Sequence, residues 1–258
     1  MLAVLGGSGL TELAPLTVTR KQIVRTPYGE PSGPLTVGRL NGVEVMFLAR
    51  HGYGHTLAPH EVNYRANLWA LKEKGARRII SVCSVGGIDA RFGPGSIVLP
   101  TQLIDYTWGR SATFFEGAEQ AVVHVDFTHP YCAQTRRLIL DSAAEAGVSV
   151  VEGATYAATQ GPRLETAAEV DRLERDGAHL IGMTGMPEAV LARELALPYA
   201  AIAVVVNAAA GRGESTGGIS QEAMGPVLRA SMQRVIRILE SVAPREARAN
   251  ISPQGAAR

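Results

Sequence analysis

Five places in the chain put a group able to hold or move charge directly after a run of apolar residues. The first is Gly6-Gly7-Ser8-Gly9, which follows Met1 to Leu5. Glycines let backbone amides close on an anion and the serine adds a hydroxyl, so the segment suits a phosphate; taken alone, a tight turn is the simpler reading. It is not a Walker A loop, having no Gly-Lys-Ser/Thr, and Glu12 occupies the last glycine position of a dinucleotide fingerprint. Arg50-His51 comes straight after Val43 to Ala49 and pairs a fixed fork of donors with an imidazole, as an oxyanion clamp would. Cys83-Ser84-Val85-Gly86-Gly87 again lets amides face a ligand, with a packing turn as its plain alternative.

The other two places carry groups that a flat polar ligand can use. In Thr159-Gln-Gly-Pro-Arg-Leu-Glu165-Thr166 a carboxylate stands just before a helix start, either as a first-turn acid favoured by the helix dipole or as a ligand acceptor. The segments Gly182-Met-Thr-Gly-Met-Pro-Glu188 and Val204-Val-Val-Asn207-Ala-Ala-Ala-Gly211 form the fifth place. An amide that ends an apolar strand must find partners, so Asn207 is a turn former or the reader of a polar ligand edge. Two other chemistries fit poorly. Gly52 and Gly54 separate His51 from His55, and His60-Glu61 leads to Tyr64 where H-E-x-x-H needs histidine, so no metal site is expected. Leu10 takes the second glycine position of G-x-S-x-G around Ser8, which removes the serine-hydrolase elbow.

These groups need strand ends that converge, and the hydrophobic pattern supplies them. Strands are expected over Met1 to Leu5, Leu35 to Leu40, Val43 to Ala49, Ile79 to Cys83, Gly95 to Leu99, Val148 to Thr159, His179 to Met183 and Tyr199 to Val206. Asn41-Gly42 should join its two strands through a type I′ turn. Helices are expected from near Pro59 to Gly75, and over Gln134 to Ala146, Thr166 to Asp176, Pro187 to Leu195 and Met224 to Val242, with a short one starting at Leu10. Residues 107–124 have no period and read as an excursion over the surface. Strands alternating with helices mean one α/β domain with a mainly parallel sheet over residues 1–243, leaving 244–258 as a flexible C-terminal tail.

Composition narrows the partners. A chain of 258 residues with 46% hydrophobic residues forms a globular core, and 25 basic against 24 acidic side chains leave a net charge of +1. That balance is too weak to draw nucleic acid or an anionic membrane, so a bound anion must be held by a local pocket. Cys83 and Cys132, without a C-x-x-C, make neither a disulfide scaffold nor a zinc cluster, and a cytoplasmic location is expected. Leu2 to Leu5 has no basic flank and reads as no signal peptide, and Leu195 to Gly211 is interrupted by Pro198 and Asn207.

In order and spacing, GGSG, RHGYGH with PHEVNYRAN, SVGG, TQGPRLET, GMTGMPEAVLARE and VVVN resemble the trimeric purine nucleoside phosphorylase and methylthioadenosine phosphorylase family over residues 3–242. The resemblance implies one α/β domain around a mixed, partly barrel-like sheet, assembled as a homotrimer. It also implies phosphorolysis of a purine nucleoside to a free base and a ribose 1-phosphate, with inorganic phosphate as co-substrate and no metal or organic cofactor. Carried over residue by residue, it puts phosphate on Ser8, Arg50, His51, Cys83, Ser84 and Thr184, ribose on Met183, and the purine on Glu165 and Asn207, Ala208 and Ala209. His51, Glu165 and Asn207 then carry the catalysis. It puts the 5′ end of the nucleoside near Ile219, Gln221 and Met224, with His124 arriving from a neighbouring subunit.

Within the family, methylthioadenosine phosphorylases carry Ser at the position of Glu165 and Asp at those of Asn207 and Ala209, whereas 6-oxopurine enzymes carry Glu and Asn. A carboxamide donates to O6 and accepts from a protonated N7, and Glu165 accepts from an N1–H that adenine lacks. The remainder of the chain, especially VNYRANLWALKEKG and MPEAVLARELALPYA, is similar to the methylthio side. That combination is the one seen in S-methyl-5′-thioinosine phosphorylases, and it implies hypoxanthine and 5-methylthioribose 1-phosphate as products in purine salvage. A methylthioadenosine phosphorylase or a general inosine and guanosine phosphorylase is the alternative.

Overall fold

Strand β1 (Leu2–Gly6) is buried along its whole length, and the apolar strand β9 (Tyr199–Ala208) is buried everywhere except at Asn207. Both therefore need cover on two faces, which in a computed structural model describing residues 1–118 and 120–249 is how they sit. The other strands are β2 (Thr17–Gln22), β3 (Leu35–Leu40), β4 (Val43–Ala49), β5 (Arg78–Gly87), β6 (Ile97–Asp105), β7 (Val151–Ala158) and β8 (Leu180–Gly182). The sheet order is β2-β3-β4-β1-β5-β8-β7-β6-β9, and β9 also pairs in parallel with β5, from Ile79 opposite Tyr199 to Gly87 opposite Ala208. That second pairing closes β5, β8, β7, β6 and β9 into a five-stranded barrel with the remaining strands as an extension. The sheet is mixed, as a partly barrel-like sheet requires: β1, β5, β7 and β9 have parallel neighbours, while β8 runs antiparallel to β5 and β6 antiparallel to β9.

Alternation along the strands sorts the core into two layers. Ala3, Leu5, Ala201 and Val205 face a cluster with Leu68 and Leu191, from α1 (Tyr64–Glu73) and α4 (Gly185–Glu194). Leu2, Val4, Ile202 and Val204 face Ile139 of α2 (Ala133–Glu145) and Val235, Ile238 and Leu239 of α5 (Gln221–Ala249). Helix α3 (Ala167–Arg175) starts with a capping box between Thr166 and Glu169. Among the described residues no helix is long and apolar enough to cross a membrane.

Most expected elements form, and each difference has an identifiable physical cause. Strand β2 lacks apolar alternation and is almost wholly exposed; it exists because β3 offers it a free edge. No helix starts at Leu10, whose N–H closes a turn on the Gly7 carbonyl at 3.0 Å while Leu10 and Leu13 bury their side chains. Helix α1 begins at Tyr64 rather than near Pro59, because the Asn63 side chain caps it by accepting from the Ala66 N–H at 3.0 Å. Helix α5 starts earlier than expected and continues through Pro244 to Ala249, so the expected tail from 244 is helical over its first part. Its anchor is Glu246, 4% exposed, whose Oε2 accepts from Arg78 Nε at 2.8 Å. The rest of that tail lies outside the described residues.

Asn41 and Gly42 link β3 to β4 with φ of 48° and 81°, the two positive values of a type I′ turn. A methyl group at Gly42 meets no atom within 4 Å, so its only cost is the left-handed backbone. Gly42→Ala should lower the unfolding free energy by about 1 kcal/mol in a urea titration with no effect on the cleft described below; an unchanged midpoint would show that the turn does not need this conformation.

Candidate active site

The chain ends of β1, β4, β5, β8 and β9 open into one cleft of about 510 Å³, closed on its far side by the loop before α3 and the first turn of α5. This is where a doubly covered α/β sheet collects ligands, and the volume suits a small organic molecule. Ser8, Arg50, His51, Cys83, Ser84, Thr184, Glu165, Met183, Asn207, Ala209, Ile219, Gln221 and Met224 all line it.

Of these, the Arg50 side chain has no exposed surface. Nε donates to Glu188 Oε2 at 2.6 Å, Nη2 to Glu188 Oε1 at 3.0 Å and to Ser81 Oγ at 2.6 Å, and Nη1 to the Val82 carbonyl at 3.1 Å. Of the five guanidinium hydrogens one is left, on Nη1, for a ligand. Burial works against this charge, and the Glu188 carboxylate more than offsets it, so the guanidinium holds its proton more tightly than a free one. Gly7 is required here: a Cβ would stand 2.8 Å from Arg50 Nη1 and 2.6 Å from the Val82 carbonyl oxygen, so only glycine lets the Ser8 turn lie over the guanidinium.

His51 sits beside it with Nδ1 2.8 Å from the Leu57 carbonyl oxygen. A carbonyl only accepts, so Nδ1 carries the hydrogen. Burial and then the Arg50 charge push the imidazole down to about 4, which keeps the ring neutral and makes Nε2 an acceptor. Ser8 Oγ lies 3.3 Å from Nε2 of His55, whose ring centroid is 4.4 Å from that of His51. Thr184 caps α4 without spending its hydroxyl on a capping bond, and its N–H donates to Tyr156 Oη at 3.3 Å. The Cys83 thiol is pushed up to about 12 by burial, so it offers shape and not a thiolate.

Two further lining groups can read polar edges. Glu165 Oε1 accepts from Thr159 Oγ1 at 2.7 Å, which fixes the carboxylate and leaves Oε2 for a ligand. Asn207 Nδ2 donates to the Ala208 carbonyl at 2.6 Å, which sets the amide so that one Nδ2 hydrogen and Oδ1 remain. Asn207 and Ala209 line the cleft but Ala208 does not: successive strand residues face opposite ways, and the Ala208 N–H points to Glu214 Oε1 at 3.4 Å. The Ala208 carbonyl orients the Asn207 amide. His124 is exposed and lies off the cleft of its own chain. The rings of His51 and His55 lie together, but no group of three or more His, Cys, Asp or Glu able to hold a metal ion occurs among the described residues.

The residues that single-position reasoning missed stand behind the cleft. Glu188, 1% exposed, also accepts from Tyr199 Oη at 2.8 Å. Its signal was present as one acid in the apolar stretch Gly185 to Leu191, since a buried carboxylate needs a cation. Tyr199 and Ser81 had no such signal, because both belong to strands that read as pure core.

The profile of the phosphorylase superfamily matches residues 1–243. A probable S-methyl-5′-thioinosine phosphorylase of Xanthomonas campestris is 56% identical over 214 residues, 83% of this chain and 86% of that one. A probable 6-oxopurine nucleoside phosphorylase of Thermococcus kodakarensis is 46% identical over 215 residues, 81% of this chain and 80% of its own. Among solved structures, the methylthioadenosine phosphorylase of Schistosoma mansoni in complex with adenine superposes with a TM-score of 0.90 at 31% identity, covering 95% of this chain and 92% of that one.

Three outcomes check this geometry. Nitrogen-15 shifts of His51 should report a neutral ring with its hydrogen on Nδ1 at pH 6, where an ordinary histidine is largely protonated; a protonated ring there would contradict the arrangement. Because the native ring resists protonation that the unfolded ring accepts, His51 makes the protein lose stability as the pH falls from about 6.5 towards 4. Glu188→Ala, which strands the buried Arg50 charge, should cost about 3 to 5 kcal/mol in denaturant unfolding.

Proposed function

Because the chain belongs to the phosphorylase superfamily, we propose that its cleft carries out phosphorolysis of S-methyl-5′-thioinosine to hypoxanthine and 5-methylthioribose 1-phosphate. The observation that carries this reading is that Glu165 and Asn207 both line the cleft. Glu165 Oε2 accepts from N1–H of hypoxanthine, while Asn207 donates to O6 and accepts from N7–H. Adenine has no N1–H and presents an amino group where O6 would stand, so it leaves buried polar groups unpaired. Ala209 adds no carboxylate for that amino group. The name of the Xanthomonas campestris relative supports the same substrate.

Phosphate binds between Ser8, Arg50, His51, Ser84 and Thr184. With Arg50 neutralised by Glu188 and His51 neutral, the cradle has no excess positive charge, and the acceptor His51 Nε2 pairs with a protonated phosphate oxygen. The balance of the reaction uses that proton. As the C1′–N9 bond breaks, its electron pair leaves with the base, and an unprotonated phosphate oxygen bonds to C1′. The phosphate proton, held at His51 Nε2, is released and one proton is taken up at N7 beside Asn207, giving neutral hypoxanthine and the sugar phosphate. Phosphate stabilises the cationic sugar as the bond loosens. Inorganic phosphate is the co-substrate, and no other cofactor enters.

Ile219 and Met224 supply apolar walls for the methylthio group, and His124 completes the 5′ end from the neighbouring subunit of a homotrimer. Two free cysteines suit a cytoplasmic enzyme. One observation favours a second reading: Gln221 adds a polar group at that same end, which a general inosine and guanosine phosphorylase would use for the 5′-hydroxyl.

Purified protein with phosphate should release hypoxanthine from methylthioinosine, with kcat/KM exceeding that for inosine by roughly 10- to 200-fold, as burying a methylthio group allows. Equal turnover of inosine selects the second reading, and preference for methylthioadenosine removes the base-site argument. Asn207→Asp, which cannot donate to O6, should lower activity on methylthioinosine by at least about tenfold and move preference towards 6-amino purines.

A further inference from the structure

The described residues of 107–124 form no helix or strand, yet they send one guanidinium inward. Arg110 Nη1 donates to the carbonyls of Met183 and Met186 at 2.7 and 2.6 Å, and Nη2 to those of Gln160 and Thr159 at 2.8 and 3.3 Å. The Nη hydrogens are thereby used on backbone oxygens of two segments, the loop that leads from β7 to Glu165 and the stretch from Met183 after β8 to Met186 in the first turn of α4, and Nη1 also reaches Tyr64 Oη at 3.4 Å. The guanidinium also lies over the Tyr64 ring at 5.6 Å from its centroid, and its Nε is buried without a partner. Trp108 adds a backbone N–H to Gln160 Oε1 at 3.2 Å, so the excursion grips the first loop twice.

We propose that Arg110 is a positioning residue for the nucleoside, holding the Glu165 loop and the Met183 loop at a fixed separation; this rests on the phosphorylase reading of the cleft. Strand-end loops leave carbonyls without ladder partners, and only a planar fork reaches two pairs of them at once. Thr159, one of the clamped residues, orients Glu165 through its own hydroxyl, and Met183 is the residue that lines the sugar part of the cleft. The phosphate end has further anchors of its own: Glu188 and Ser81 hold Arg50, and Thr184, although it lies between the clamped Met183 and Met186, is also held through its N–H by Tyr156. Loss of the clamp therefore loosens base and sugar contacts while leaving the phosphate cradle in place.

The test is Arg110→Lys, which keeps the charge and loses the fork, with Arg110→Gln as a second variant should the first not fold. The expected result is a fall of about 10- to 100-fold in kcat/KM for methylthioinosine, the loss that small misplacement of a reacting group produces. KM for phosphate should stay within about twofold, because a residue of merely structural importance would disturb both substrates alike. Wild-type constants in the lysine variant, or equal losses for nucleoside and phosphate, overturn the proposal. If the parent protein does not cleave methylthioinosine, the functional reading fails by itself. Calorimetric binding of hypoxanthine and of phosphate to parent and variants then still decides the clamp: selective loss of hypoxanthine binding supports it, and unchanged or equally weakened binding overturns it.

Discussion

A guanidinium with no exposed surface is the constraint around which the cleft is arranged. Moving a charge of that kind out of water costs several kcal/mol even after relaxation, and only a close, well-paired carboxylate offsets it. Arg50 meets that demand through two bonds to Glu188, and Glu188 meets its own through Tyr199. Arg50 follows β4, Glu188 belongs to α4, Tyr199 opens β9 and Ser81 lies inside β5. One polar network thus fixes the positions of four elements that are far apart in the chain. One Nη1 hydrogen is left over from this network.

Neutralising Arg50 inside the protein changes what the anion site can be. A bare cation would attract any anion, whereas a charge-paired guanidinium beside hydroxyls and a neutral imidazole selects by the direction of hydrogen bonds. His51 is part of that selection only because Leu57 takes its Nδ1 hydrogen and burial keeps the ring from charging. The buried Cys83 thiol contributes no competing nucleophile, since burial raises its pKa and keeps it protonated.

The barrel closure between β5 and β9 sets the spacing of the cleft residues on these two strands. Residues Cys83 to Gly86 of β5 lie beside Ala203 to Asn207 of β9, so the strand register brings Cys83, Ser84 and Asn207 to one cleft. Asn207 and Ala209 line it, while the Ala208 N–H donates to Glu214. Rigid strands carry these cleft residues, while the irregular excursion ties Arg110 to the backbone of two neighbouring segments.

The amino-acid sequence by itself determined every piece of local structure whose cause is local. Asn41-Gly42 specifies its turn through backbone sterics, and the hairpin has the expected ends; the long apolar runs specify buried strands; donors placed just past those runs specify the cleft residues, and nearly all of them meet there. Exposed β2 escaped notice because pairing with a neighbour, not its own pattern, makes it a strand, and the end of α5 because its anchor, Arg78, is remote in sequence. Only the tertiary structure decided which of Asn207, Ala208 and Ala209 face the ligand, that Glu188 rather than a bound anion neutralises Arg50, and that Arg110 turns inward. Each of these depends on contacts between residues far apart along the chain, and the energy of a buried charge or an unpaired carbonyl is settled by what surrounds it in space.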